Sequence, residues 1–418
     1  MSAPRSASGP RPSPQAAYTR WMDACTAAGW RAGPAAERVP VRDGLGRVTG
    51  APVRARWPAP RSACAAMDGI AIKAVPAAVG VWQLATGSFA WVDTGDLMPA
   101  GMDTVVERER VQFGADGSAQ ITGPAPHGLN VRATGEDFPA GELLIPAGHR
   151  LRPADLAAAA AAGHTTLEVA RRPVTAIIPT GDEIRPVGSA LGPGDVTDSN
   201  SVLLASRAGE TGALTLVSDV QPDDPDALTA EIRRAALAAD LVLVIAGSSA
   251  GRSDHTADVV ARAGGLAVRG VAVRPGHPVL LGYAQPDQAR AGQSAMAVPV
   301  IGMPGYPLAA AVIFELFAVP LLAALQGRPP ADRLWQRAQL TCDWTSSPDV
   351  EDWVPVSLAP APAGEHASCP VVATPGRRGA GSISRLMRAN AWWPIPIGQG
   401  KFVRGDHIDV QPIPGAPS

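Results

Sequence analysis

The stretch VTAIIPTGDE, residues 174–183, decides how this chain is read. An apolar run that stops abruptly at Thr180-Gly181-Asp182-Glu183 is what a strand buried on both faces looks like. The segments that follow repeat the pattern with helices between. DSNSVLLASRAGETGA (198–213) predicts a helix capped by Asp198 or Ser199 and ending near Gly212. LTLVSDV (214–220) is a strand. In DDPDALTAEIRRAAL (223–237) Asp224 can cap a helix, Pro225 suits its first turn, and Leu228, Ile232 and Ala236 recur on one face. DLVLVIAGSSAG (240–251) is a strand opening into small residues, TADVVARAGG (256–265) is helical, and VPVIGMPGYP (298–307) is a strand running into a long apolar helix. Strand-helix alternation of this kind predicts an α/β domain over 174–328, a doubly wound parallel sheet with helices on both faces.

Working outward, the flanks have a different rhythm. MSAPRSASGPRPSPQ reads as a disordered tail over 1–15 and not as a signal peptide, because it has no apolar core. Tyr18 to Ala28 predicts a short helix, and ERVPVRDGLGRVTGAPVRA (37–55) alternates turns and short strands. AVGVWQLA, DTVVERERVQF and SAQITG predict strands of a small β domain between about 61 and 135. LRPADLAAAAAAGHTTLEVARRP (151–173) predicts an Ala-rich helix with Pro153 in its first turn and Gly163 past its end, then a strand. Residues 329–418 are short strands with Gly and Pro turns, a small β-barrel or sandwich.

Composition sets limits. Hydrophobic residues make up 46% and charged residues 18%, enough for buried cores. The formal charge is −2 with no basic tract, which argues against nucleic acid as a partner. Cys25, Cys64, Cys342 and Cys369 form no CxxC pair and the histidines are dispersed, so zinc and dithiol chemistry are not indicated and a reducing cytoplasm fits. Residues 307–327 are apolar enough to suggest a membrane span, but Glu315 and Pro320 favour a buried helix.

In a doubly wound sheet, ligands bind beyond the carboxyl ends of the strands. Three such ends have a composition suited to an anion: 180–183, the loop Gly247-Ser248-Ser249-Ala250-Gly251, and Pro304-Gly305-Tyr306-Pro307. Small residues let backbone N–H groups approach phosphate at a helix start; they also simply make tight turns. Arg274 in VRPGHP (273–278) adds a fork suited to an oxyanion, although a solvated turn residue would look the same. The acids Asp68, Asp137, Glu183, Asp223 and Asp254 are each ordinary turn or cap residues alone, and Thr94 is an ordinary turn residue. Carboxylates converging without His or Cys would suit Mg²⁺.

Taken in order, ERVPVRDGLGRV, AAMDGIAI, DTGDLMPAGMDTVV, VRATGEDFPAGELLIPAGHRLRPADLAAAAAAG, RRPVTAIIPTGDEI, DSNSVLL, IAGSSAGRSDHT, VRPGHPVLLG and IGMPGYPLAAAVIFELFAVPLL resemble the MoeA family of molybdopterin molybdenumtransferases, the family that includes gephyrin and plant Cnx E domains. The resemblance implies a multidomain α/β plus β protein. A discontinuous linker domain (16–60 and 136–173) would carry an inserted β domain (61–135). A molybdopterin-binding α/β domain (174–328) and a C-terminal β domain (329–418) would follow. It implies a cytoplasmic homodimer in which one subunit's β domain completes its partner's α/β site, with other molybdenum-cofactor biosynthesis proteins as partners. The implied reaction inserts molybdate into adenylylated molybdopterin with Mg²⁺ assistance and releases AMP. By motif, Asp68, Thr94, Asp137, Glu183, Asp223 and Asp254 match the catalytic set. Of these, Glu183, Asp223 and Asp254 would hold the metal. Asn200, Gly247, Ser248, Ser249, Gly251, Arg274, Pro304, Gly305 and Pro307 match the pterin-phosphate cradle. The chain departs from the family's usual residues at Ala246, Tyr306, Arg274 and His277, on the ligand side. A non-catalytic cofactor-binding or scaffold protein, or a tungstate-specific transferase, are the alternative readings.

Overall fold

The computed structural model describes residues 11–31, 33, 35–76, 80–246, 252–286, 296–328, 334–361, 369–376, 379, 383–413 and 415; the side chains of residues 246 and 252–254 lie outside this description. The chain forms two compact units, Ala36–Ala170 and Met1–Ala35 with Arg171–Ser418.

In the unit Ala36–Ala170, strand Ala36–Pro40 pairs antiparallel with Thr166–Ala170, and Val53–Arg54 pairs with Leu143–Ile145. Helix Pro153–Ala161 covers them, burying Ala159 beside Val41, Val53, Ile145, Leu151, Leu167 and Val169. The helix starts where the sequence indicates, because Pro153 needs no N–H partner there and the Asp155 carboxylate accepts from the Arg152 N–H at 2.7 Å. Between these paired segments lies a β portion of two three-stranded sheets. In one, Gly69–Ile72 is central between Phe89–Val92 and Thr104–Glu107; in the other, Ala119–Thr122 is central between Val81–Leu84 and Val111–Phe113. Ile70, Ile72, Val106 and Ile121 fill its core.

In the other unit, a six-stranded sheet has the order Leu214–Val217, Val174–Pro179, Leu241–Ala246, Val298–Pro304, Leu280–Ala284, Gly264–Arg269. The period-2 alternation of a strand sends Ile177, Leu241, Leu243 and Ile301 into one core with Leu204, Phe314 and Phe317. Ala176, Val242, Val244 and Val300 go into the other, with Leu228, Ile232, Val259 and Val260. Helices thus cover both faces. The first four strands and Gly264–Arg269 run in one direction, but Leu280–Ala284 is antiparallel to both its neighbours, Val298–Pro304 and Gly264–Arg269, which corrects the all-parallel expectation. The physical reason is the short connection 270–279: a parallel return needs a crossover helix, and there is no room for one.

A second correction concerns the N-terminus. The helix runs Pro14–Ala27, capped by Ser13, so the tail ends before residue 15 and the helix starts earlier than Tyr18. It belongs to the compact unit of the α/β core, whereas the expectation grouped it with residues up to 60: Ala17, Trp21 and Cys25 are fully buried in that core, and the Trp21 indole N–H donates to the Gly282 carbonyl at 2.6 Å. The apolar run after residue 307 is a core helix. It passes through one wide turn, Phe314–Ala318, just before Pro320, whose missing N–H spares the ladder a bond there. Its Glu315 accepts from Arg207 Nε at 2.6 Å.

The C-terminal strands form the order Glu351–Pro360, Val371–Pro375, Gln336–Leu340, His407–Pro412, Ala391–Ile395, and Ala391–Ile395 pairs back onto Glu351–Pro360. The sheet therefore closes on itself as a barrel around Val354, Val356, Trp393, Ile395 and Val410.

Candidate functional site

Strand register gathers the candidate loops at one edge of the sheet. Pro179 is paired with Ile245, and Ala246 with Pro304. Residues 180–183, the loop after Ala246, and 305–307 therefore leave the sheet side by side at its carboxyl edge. The antiparallel pairs Arg269↔Leu280 and Leu280↔Gly302 bring the 270–279 connection to that edge too.

At 180–183 the Thr180 hydroxyl donates to the Ile245 carbonyl at 2.9 Å, and the Gly181 N–H to the Gln221 carbonyl at 3.1 Å. Gly181 has φ +134°, and a Cβ there would lie 3.0 Å from Glu183 Oε2 and 2.9 Å from Ile184 Cγ1. At this φ an L side chain is strained, and its Cβ would also crowd the Glu183 carboxylate that folds back over the loop, so the turn suits glycine. The Asp223 N–H donates to Asp182 Oδ1 at 3.2 Å, so the loop before helix Pro225–Ala236 joins this corner. Asp224, not Asp223, caps that helix: its carboxylate accepts from the Asp226 and Ala227 N–H groups.

At 304–307 the Asn200 amide donates to the Gly305 carbonyl at 2.7 Å. Asn200 is 8% exposed and its Oδ1 has no hydrogen-bond partner among the described residues. It stands in the first turn of helix Ser199–Glu210, which Asp198 caps by accepting from the Ser201 N–H. Tyr306 is 50% exposed immediately before helix Pro307–Ile313. Arg274 pairs through Nε and Nη2 with Asp352 of the barrel. That contact raises the guanidinium pKa, the hydrogen bond to Asp352 outweighing the opposing effect of burial. His277 is exposed, and its pKa is lowered by partial desolvation and, secondarily, by Arg11.

Gly247, Ser248, Ser249 and Gly251 lie outside the described residues, as does the Asp254 side chain, although Asp254 falls within helix Arg252–Ala263. Among the described residues no group of three or more His, Cys, Asp or Glu is gathered for a metal ion. Glu183 and Asp223 are oxygen donors in the same corner, which is the donor type Mg²⁺ takes, usually as one or two carboxylates plus phosphate and water oxygens.

In the unit Ala36–Ala170, Asp68 and Thr94 meet. The Thr94 N–H and hydroxyl both donate to Asp68 Oδ1 at 2.7 Å. Antiparallel pairing of Gly69 with Val92 sets them opposite one another just beyond their strands. Asp68 is exposed, and the Thr94 hydroxyl and N–H lower its carboxyl pKa below the usual range. Thr94 is also a turn residue, since the Asp96 N–H closes onto the Asp93 carbonyl. Asp137 is exposed on a turn whose N–H donates to the Ala59 carbonyl at 2.9 Å, and among the described residues no hydrogen bond ties it to the Asp68–Thr94 pair.

Sequence reasoning missed Asp352 and Ser346. Both are 5% exposed, and Ser346 Oγ donates to Asp352 Oδ2 at 2.8 Å. Nothing local signals a partner of Arg274 so far along the chain.

Three sequence profiles match this chain in order: the MoeA N-terminal region (domain I and II) over 13–163, a probable molybdopterin binding domain over 176–324, and the MoeA C-terminal region (domain IV) over 337–413. The chain is 28% identical to a Nostoc molybdopterin molybdenumtransferase, covering 88% of this chain and 87% of that protein. It is 32% identical to molybdopterin molybdenumtransferase 2 of Mycobacterium tuberculosis, covering 60% of this chain and 61% of that one. In structure it resembles a Pyrococcus horikoshii molybdopterin biosynthesis MoeA protein, with a TM-score of 0.76, 27% identity, and coverage of 96% and 98% of the two chains.

Proposed function

Because the chain belongs to the MoeA family, we propose that it is a transferase of molybdenum cofactor biosynthesis that inserts molybdate into adenylylated molybdopterin and releases AMP. The observation that supports this most is the single sheet edge shared by 180–183, the start of the loop after Ala246, 270–279 and 304–307. One edge then offers carboxylates, a small-residue turn at a helix start and an arginine fork, which is what a phosphorylated pterin and an oxyanion need together.

In this reading the 304–307 turn, held by Asn200, seats the pterin phosphate; Gly247, Ser248, Ser249 and Gly251 are assigned to the same role by the family resemblance alone. Arg274 faces the oxyanion. Glu183 and Asp223, joined by Asp254 on the family resemblance, would hold Mg²⁺, which when bound would offset charge on the pyrophosphate and on the leaving AMP. Glu183 keeps its direction through Gly181. Asp68, Thr94 and Asp137 serve the same reaction in a homodimer, with Asp68 kept ionised by the two Thr94 donors. The cytoplasm is the setting.

The test is incubation of the full-length protein with adenylylated molybdopterin, Mg²⁺ and molybdate, with nucleotide followed by chromatography. AMP release that requires molybdate supports the transferase. Tight binding of the adduct with no AMP release would establish the binding protein instead. Tungstate in place of molybdate separates the two metals.

A further inference from the structure

We propose that Asp352 is the positioning residue for Arg274, holding one side of its guanidinium so that Nη1 is presented to the oxyanion. This rests on the reading of the 273–278 turn as part of the anion site. Arg274 Nε donates to Asp352 Oδ1 at 3.3 Å and Nη2 donates to Oδ2. A two-point contact of this kind fixes the plane of the fork, which a single bond would leave free to rotate. Among the described residues Nη1 makes no hydrogen bond, and the Arg274 side chain is 39% exposed. One side of the guanidinium is therefore taken and the other is open.

Asp352 is itself held. Its side chain is 6% exposed, and the Ser346 hydroxyl donates to its Oδ2. The backbone fixes both partners in register: Val273 pairs with Glu351 and Arg274 with Asp352, and the Glu351 N–H donates to the Ala272 carbonyl at 2.9 Å. The barrel strand Glu351–Pro360 thus begins as a splint along the arginine turn.

Two consequences of the carboxylate oppose each other. It cancels positive charge that would attract an anion, and it removes rotamer freedom that binding would otherwise have to remove. The arginine side of the pair is partly exposed, where charge is screened, whereas the carboxylate side is buried and its geometry is rigid. Orientation therefore dominates, and losing Asp352 weakens oxyanion binding.

The experiment is isothermal titration calorimetry of the full chain with molybdate alone. The variants are Arg274→Ala, Asp352→Ala, Asp352→Asn and the double variant Arg274→Ala/Asp352→Asn, each checked by thermal melting. Arg274→Ala should raise the Kd about tenfold or more, as loss of an anion-gripping fork does. Asp352→Ala should raise it about fivefold through lost preorganisation. Asn, which keeps an acceptor for Nε, should fall between Ala and the unsubstituted protein, and it carries the test if Asp352→Ala fails to fold. In the Arg274→Ala background Asp352→Asn should have no effect. The inference is overturned if both Asp352 variants leave the Kd unchanged or lower it while Arg274→Ala raises it, or if the effect of Asn persists without Arg274. A Kd unmoved by Arg274→Ala, or no molybdate binding at all, overturns the anion-site reading and this inference with it.

Discussion

Replacing Gly181 by alanine tests the site without touching any reacting group. The backbone there has φ +134°, a region in which an L side chain costs about 1–3 kcal/mol. The new methyl would sit 3.0 Å from Glu183 Oε2 and 2.9 Å from Ile184 Cγ1, so either the loop shifts or the carboxylate swings away. At roughly 2–4 °C per kcal/mol for a domain of this size, the melting temperature should fall by about 2–12 °C. A displaced catalytic group costs far more than that in rate: a misplacement near 1 Å can cost about 100-fold. Turnover should therefore drop roughly 10- to 100-fold in AMP-release assays, well beyond the loss of folded protein at the assay temperature. Glu183→Ala, by contrast, should lose most activity with little change in melting. If Gly181→Ala melts lower yet releases AMP at the original rate, the orientation of Glu183 is irrelevant to the reaction. If neither property changes, the argument from the loop's geometry is wrong.

Two further outcomes follow from hydrogen bonds at the other candidate positions. Asn200→Ala leaves the Gly305 carbonyl without its donor, which should cost about 1–3 kcal/mol and raise the KM for the pterin substrate; an unchanged KM would show that this bond does not hold the turn. Thr94→Val removes the hydroxyl that donates to Asp68 and should move the Asp68 carboxyl pKa, followed by carbon-detected NMR titration, up toward the ordinary value. Because the folded-state value is depressed, whatever Asp68 adds to stability is present above its unfolded pKa and fades as pH falls through the folded one. The variant should narrow that acid-side window, and an unmoved titration would show the hydroxyl to be idle.

The parts of the fold legible in the sequence are those fixed by local pattern. Val174–Pro179, apolar but for Thr175, and Leu241–Ala246 show no polar alternation because both faces are covered, and the caps Asp198 and Asp224 stand where their helices begin. What escaped depends on distant pairing. The reversal of Leu280–Ala284 relative to its neighbour is set by a short connection, and its apolar residues look the same in either direction. Trp21 shows no sign in its own neighbourhood that its indole will reach Gly282. At the site, the composition of the loops was readable, and their convergence required only the rule that strand ends share an edge. The Arg274–Asp352 pair was not readable, since an acid in a β segment has many partners to choose from and only tertiary register selects one.

The placement of helix Pro14–Ala27 bears on how the polypeptide matures. Its socket, formed in part by Val268 and Leu281, is synthesised only after the whole of Ala36–Ala170 has been made. This helix must therefore wait, with its packing against Val268 and Leu281 not yet made, until the intervening unit has been synthesised. Closure then ties the beginning of the molecule to its middle, so a fragment cut at the start of the α/β segment would lack a piece of its own interior.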